Sequence, residues 1–205
     1  NAGKFIVYMG SSTYLDTTID ATLYGEVAGD QMGYSITVTD VNGDGYSDVV
    51  VGSPNNDDGG TDAGKVYVFE GTSAGLSTTA SHGQYGTQNS HNLGYRIVGL
   101  GDLNGDSFYD VYLAGDTLDA NIYLGDAGGI TGNPDDQWSR TDVVPLGDIN
   151  GDGYDDALVG SPGESKDSKT RSGAVHVFYG SPAGISGADD THISQATGSV
   201  PGSAE

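Results

Sequence analysis

The sequence has no cysteine, so no disulfide can staple its fold and thiols carry no message about the redox compartment. It also lacks any run approaching the roughly 18 consecutive apolar residues of a membrane-spanning helix, and no charged-then-apolar leader opens it. The chain is therefore expected to be soluble, with no membrane span, and to be the mature form if it is secreted. Basic residues are scarce, with 7 Lys and Arg against 29 Asp and Glu and a formal charge of −22. Binding to phosphate backbones needs a cationic face, so nucleic acid is not the expected partner. The four histidines, His82, His91, His176 and His192, are scattered without an H-E-x-x-H or other paired spacing, which argues against a zinc-hydrolase site.

Glycine, by contrast, is abundant at 35 residues, with no collagen period and no low-complexity run, which points to many tight turns. The most informative turn is Asp40-Val41-Asn42-Gly43-Asp44-Gly45-Tyr46-Ser47-Asp48. Side-chain oxygens stand at loop positions 1, 3, 5 and 9, glycine stands at position 6, and the backbone carbonyl of Tyr46 is available at position 7. Ca²⁺ is a hard cation that takes six to eight oxygens, and this alternating spacing in a bend supplies them. The pattern recurs as Asp102-Leu103-Asn104-Gly105-Asp106-Ser107-Phe108-Tyr109-Asp110 and as Asp148-Ile149-Asn150-Gly151-Asp152-Gly153-Tyr154-Asp155-Asp156.

The expected metal ligands are thus Asp40, Asn42, Asp44, Tyr46 and Asp48; Asp102, Asn104, Asp106, Phe108 and Asp110; and Asp148, Asn150, Asp152, Tyr154 and Asp156, for three Ca²⁺ sites. An Asp/Asn/Gly turn that binds nothing is common singly, but less readily repeated three times with every ligand position kept. An EF-hand is excluded, because position 12 is Val51, Leu113 or Val159 in place of the bidentate Glu. Each loop runs into a short apolar stretch, Val49-Val50-Val51, Val111-Tyr112-Leu113 or Ala157-Leu158-Val159, which reads as a strand. The loops are therefore hairpin connections.

Aligning the chain on the loops exposes a longer repeat. Each loop is preceded by a strand A, followed by strand B, and then by a strand C such as Gly64-Lys65-Val66-Tyr67-Val68-Phe69-Glu70-Gly71, Ala120-Asn121-Ile122-Tyr123-Leu124-Gly125 or Gly173-Ala174-Val175-His176-Val177-Phe178-Tyr179-Gly180. Weaker D strands are expected near Gly83-Gln84-Tyr85, Asp136-Gln137-Trp138 and His192-Ile193-Ser194. Four strands recurring after 62 residues (Asp40 to Asp102) and then 46 (Asp102 to Asp148) mark the blades of a β-propeller. Residues 1–10 align with 62–71, so the chain opens at a strand C. The expected division is a half-blade at 1–30, blades at 31–90, 91–140 and 141–197, and a tail at 198–205. Three and a half blades do not close a ring, so either a missing segment or self-association is expected to complete it.

The glycine-aromatic pairs Gly33-Tyr34 and Gly94-Tyr95, the D-x-N-x-D-G-x-x-D loops, the Val-Gly-Ser-Pro steps at 51–54 and 159–162 and the G-x-V-x-V-F-x-G strands are similar to the FG-GAP repeats of integrin α-subunit propellers and of related bacterial and lectin propellers. The second repeat departs from the pattern, with Ser107 for the position-6 glycine and Gly115-Asp116 for Ser-Pro. The third lacks the glycine-aromatic pair. The resemblance implies an all-β propeller of four-stranded antiparallel blades with calcium hairpins between strands A and B on one face and partner recognition on the other. That second face would be built from loops 55–63, 116–119 and 163–172 with 26–31 and 88–92.

Gly71-Thr72-Ser73-Ala74-Gly75 matches the G-x-S-x-G of hydrolases, but the equivalent segment Gly180-Ser181-Pro182-Ala183-Gly184 puts proline where the serine would be, so a C–D turn is the expected structure. Tyr34, Tyr46, Tyr95 and Tyr154 fall at repeat-equivalent positions and read as structural. The expected function is a calcium-stabilised, non-enzymatic adhesion module of an extracellular or cell-surface protein with a protein or carbohydrate ligand. The alternatives are a propeller domain of a carbohydrate-active enzyme of the lyase or dehydratase type, or a scaffold segment.

Overall fold

The computed structural model describes residues 2–10, 17–116, 120–131, 136–138, 142–162, 173–185 and 191–193. Within them every regular element is a strand, and no helix is long and apolar enough to cross a membrane. The first two strands, β1 (Lys4–Val7) and β2 (Ala21–Tyr24), pair antiparallel with Phe5 opposite Leu23. Next come β3 (Ile36–Thr39), β4 (Asp48–Ser53) and β5 (Lys65–Phe69), then the two-residue strands β6 (Gly71–Thr72) and β7 (Gly75–Leu76), and β8 (His82–Tyr85). Strands β3, β4, β5 and β8 form one antiparallel sheet in that order.

A second four-stranded meander contains β9 (Arg96–Gly101), β10 (Asp110–Ala114), β11 (Ala120–Tyr123) and β12 (Asp136–Trp138). A third contains β13 (Asp142–Gly147), β14 (Asp156–Ser161), β15 (Ala174–Phe178) and β16 (Thr191–Ile193). The fold is thus the all-β, bladed architecture read from the repeats. Of the expected third D strand, Ser194 lies outside the described residues, as do the loop segments 117–119 and 163–172.

The sheets stack face to face, and the packing explains why the middle strands read as nearly unbroken apolar runs. All five residues of β5 and of β10 are buried, as are five of the six in β4. Side chains alternate between two faces of a strand, and both faces here are covered. Tyr67 and Phe69 point toward Phe5, Leu23 and Met32 in one core, whereas Val66 and Val68 join Val111 and Leu113 in the next. One position further along β10, Tyr112 belongs to a third core with Leu103, Val159 and Phe178. Each core therefore lies between consecutive sheets, and Phe5 meets Phe69 edge to face at 5.2 Å between ring centroids.

The Gly71–Gly75 segment is a small hairpin. Thr72 Oγ1 donates to the Gly75 carbonyl at 2.8 Å and accepts from the Ala74 N–H. No helix follows it, so it lacks the strand-to-helix turn on which a nucleophilic serine would be presented.

Candidate functional site

The three acidic loops connect β3 to β4, β9 to β10 and β13 to β14, and all three share one hydrogen-bond scheme. The position-1 aspartate is the hub. Its Oδ2 accepts the position-6 N–H at 2.8 Å for Asp40 with Gly45, 2.8 Å for Asp102 with Ser107 and 2.9 Å for Asp148 with Gly153. Its Oδ1 accepts the position-5 N–H in each loop. These amide bonds, that from Gly153 foremost, hold the Asp148 carboxyl below the usual range.

At position 5, Asp44, Asp106 and Asp152 accept the N–H of Tyr46, Phe108 and Tyr154 at 2.8, 2.9 and 3.0 Å. Positions 3 and 5 converge, since the side-chain amides of Asn42, Asn104 and Asn150 reach the carboxylates of Asp44, Asp106 and Asp152. The bend needs left-handed backbone at position 6, where φ is 88° for Gly45, 96° for Gly153 and 73° for Ser107. Serine is thus forced into the conformation that the sequence reserves for glycine in the other two loops.

Position 9 has a role that the spacing alone does not disclose. Asp48, Asp110 and Asp156 are fully buried. One oxygen of each accepts the position-2 N–H, from Val41, Leu103 and Ile149 at 3.0, 2.7 and 2.9 Å. The other accepts an N–H from the glycine after strand C, Gly71, Gly125 or Gly180, at 2.9, 2.8 and 2.9 Å. The carboxylate therefore rivets its hairpin to the end of the third strand of the same sheet. Burial outweighs these bonds and pushes the Asp48 carboxyl up, and that of Asp110 up to about 7.

Among the described residues no three His, Cys, Asp or Glu side chains are gathered tightly enough to hold a metal ion as they stand. The chemistry of the donor set nonetheless suits a hard cation. All donors are oxygens, and an ionised carboxylate has about four lone-pair sites, of which the two backbone N–H bonds at position 9 occupy two. Between the loops and the inner strands β3 and β9 lies an open cleft of about 780 Å³, lined by Thr37, Thr39, Asp40, Gly99, Asp102 and Asp155. The sequence reading missed Asp155, whose Oδ2 accepts the Asp102 N–H at 2.9 Å. The acidic doublet Asp155-Asp156 is its only trace in the sequence.

At the opposite ends of the strands, the loops at 26–31, 55–63 and 88–92 interlock through buried polar groups. Asp30 accepts from the Asn56 side chain at 3.0 Å and from the Val27 N–H at 3.2 Å, and Ser53 donates to the Asp30 carbonyl. Asn92 donates to the Pro54 carbonyl and the Asn55 side chain. Lys65 is paired with Asp58 at 2.7 Å and Glu26 at 3.1 Å, beside the rings of Tyr67 and Tyr85. Burial alone would lower the lysine's pKa, but the bonds to Asp58 and Glu26 prevail and raise it.

Tyr34 and Tyr95 also behave differently from buried structural tyrosines. Their rings meet at a tilt of 36° with centroids 4.8 Å apart while remaining 49% and 44% exposed. His176 is buried in β15 beside Phe178, away from the loops, as its strand position suggested.

Comparison with known proteins points the same way. The FG-GAP repeat family matches residues 32–69 and 141–178. Over 170 residues, 70% of the chain, it is 32% identical to integrin alpha-IIb of Mus musculus, and over 161 residues, 68% of the chain, it is 30% identical to integrin alpha-V of Gallus gallus. A shorter stretch of 93 residues is 33% identical to integrin alpha-PS2 of Drosophila melanogaster. These alignments span 16%, 16% and 7% of the respective relatives.

Proposed function

Because the chain is an FG-GAP repeat β-propeller similar to the integrin α-subunits, we propose that it is a calcium-stabilised, non-enzymatic adhesion module of a cell-surface or secreted protein. The observation that carries this reading is the threefold repetition of one loop geometry, with the same oxygens turned to the same backbone amides each time. In each loop the ion would be held by the side chains at positions 1, 3, 5 and 9 and by the position-7 carbonyl of Tyr46, Phe108 or Tyr154. It would supply positive charge to a loop that carries three aspartates within nine residues.

Bound in this way, calcium stiffens the hairpins at one end of the sheets. The interlocked loops at 26–31, 55–63 and 88–92 then form a rigid platform at the other end, and loops on rigid scaffolds are where recognition concentrates. A protein partner is the reading that the integrin relatives favour, with a glycan as the other class. The Gly71–Gly75 motif is a plain hairpin, which favours the binding reading over a hydrolase built on Ser73.

Two measurements made together test the proposal. Isothermal calorimetry with CaCl₂ should show three binding events. Surface capture on arrayed extracellular-matrix proteins and glycans should show calcium-dependent retention without chemical turnover. Absence of calcium heat together with product formation from a glycan would overturn it.

A further inference from the structure

The loops touch one another as regularly as they repeat. The position-8 N–H of the second loop, Tyr109, donates to the position-1 carbonyl of the first, Asp40, at 2.9 Å, and that of the third, Asp155, donates to Asp102 at 2.9 Å. Beside each bond, the position-7 ring of the later loop covers the position-4 glycine of the earlier one. A Cβ added to Gly43 would stand 2.8 Å from Phe108 Cδ1, and one added to Gly105 would stand 2.6 Å from Tyr154 Cε1. Both glycines are left-handed, with φ of 67° and 74°.

The first and third of the described loops allow a comparison. Gly151, the same position in the third loop, also has positive φ but meets nothing within 4 Å. Tyr46, in the first loop, covers no other acidic loop among the described residues and is 45% exposed, whereas Phe108 and Tyr154 are half-buried. Calcium binding does not call for an aromatic side chain at position 7, since that position contributes only its carbonyl. The neighbouring loop does call for one.

We propose that Phe108 and Tyr154 are positioning residues for the calcium loop that precedes their own, so that binding at adjacent loops is coupled. This inference rests on the calcium reading above. A left-handed glycine is the residue with most conformational freedom to lose. A ring seated on Gly43 restricts that freedom before the ion arrives, and preorganisation of this kind raises affinity without adding a ligand. Coupling is reciprocal. An ion that tightens the first loop holds Gly43 against Phe108, and so steadies the Phe108 carbonyl that serves the second loop. The third loop receives no such cover among the described residues.

The test isolates the first loop by silencing the others with Asp106→Asn and Asp152→Asn and then adds Phe108→Ala, a change 60 residues beyond any ligand in the remaining site. The dissociation constant for calcium at the first loop is expected to rise about fivefold or more. In the calcium-free protein, amide exchange at Asp44, Gly45 and Tyr46 is expected to accelerate, with Phe108→Leu restoring part of both effects. Should Phe108→Ala fail to melt cooperatively, Tyr154→Ala replaces it, read at the second loop in a protein with Asp106 intact and the other two loops silenced by Asp44→Asn and Asp152→Asn. First-loop affinity unchanged within about twofold overturns the coupling alone, provided the parent protein binds three ions. A parent protein that binds none overturns the calcium reading, and the coupling falls with it.

Discussion

The Asp48 carboxylate accepts the backbone N–H of Gly71 at 2.9 Å across 23 residues of chain, in a position from which water is excluded. Its other oxygen holds Val41 N–H. Asp48→Ala would leave two buried donors unsatisfied, each costing on the order of 1–3 kcal/mol. The variant is expected to lose about 2–6 kcal/mol even in chelator, whereas Asp44→Ala in chelator should change stability by less than about 1 kcal/mol. Urea unfolding in EDTA compares them, and equal losses would show that position 9 is a ligand without a structural duty.

Calcium is expected to raise the melting temperature. Two carboxylates about 5 Å apart at an effective dielectric of about 20 repel by roughly 3 kcal/mol, and a site filled at 100 times its dissociation constant gains about 2.7 kcal/mol. Scanning calorimetry with and without EDTA checks this, and indifference of the transition to chelator would contradict it.

The second loop should bind calcium most weakly. Ser107 occupies φ 73°, where a side chain costs on the order of 1 kcal/mol. Ser107→Gly is therefore expected to tighten binding at that loop by about fivefold and to move the urea midpoint upward. Calorimetry on Asp44→Ala, Asp106→Ala and Asp152→Ala gives the ranking independently. If Asp106→Ala abolishes the tightest site, the ordering is wrong.

His82 should make the fold sensitive to mild acid. Its Nε2 accepts the Ile130 N–H at 3.0 Å, and Gln84 of the same strand donates to the Ile130 carbonyl, so β8 grips both backbone groups of a core residue in the next repeat. Burial holds the imidazole pKa below its ordinary value, with Glu70 and Asp126 acting weakly in the other direction. Between the folded pKa and about 6.5 the unfolded chain binds more protons than the folded one. The stability contributed by neutral His82 is thus fully present above about pH 6.5 and is lost as pH falls through the folded value. His82→Gln should reduce the loss of melting temperature between pH 7 and 5, and identical pH slopes in the two proteins would rule out the role.

Local spacing was enough to reveal the strands, the hairpins and the four-strand meander, because ligand alternation, period-2 burial and glycine at a left-handed bend are all properties of a few consecutive residues. Gly45 and Gly153 announced the bend before any fold was known, and Ser107 announced where it would be strained. The sequence could not show which of two faces Val66 and Tyr67 would each find, since both strand faces carry apolar residues and only the stacking of sheets assigns them to separate cores.

Nor could the sequence separate the nominal ligands by duty. Asp44 and Asp48 look alike in a nine-residue pattern, yet Asp48 is buried against Gly71 because strand C ends beside the hairpin, a proximity created only when the sheet closes. The exposed Tyr34–Tyr95 pair and the rings of Phe108 and Tyr154 over Gly43 and Gly105 arise from contact between successive repeats. The chain's own repeats determined which groups exist and at what intervals. The lateral packing of one repeat on the next decided which of them meet, because those contacts join residues 49 to 65 positions apart, beyond the reach of any local pattern.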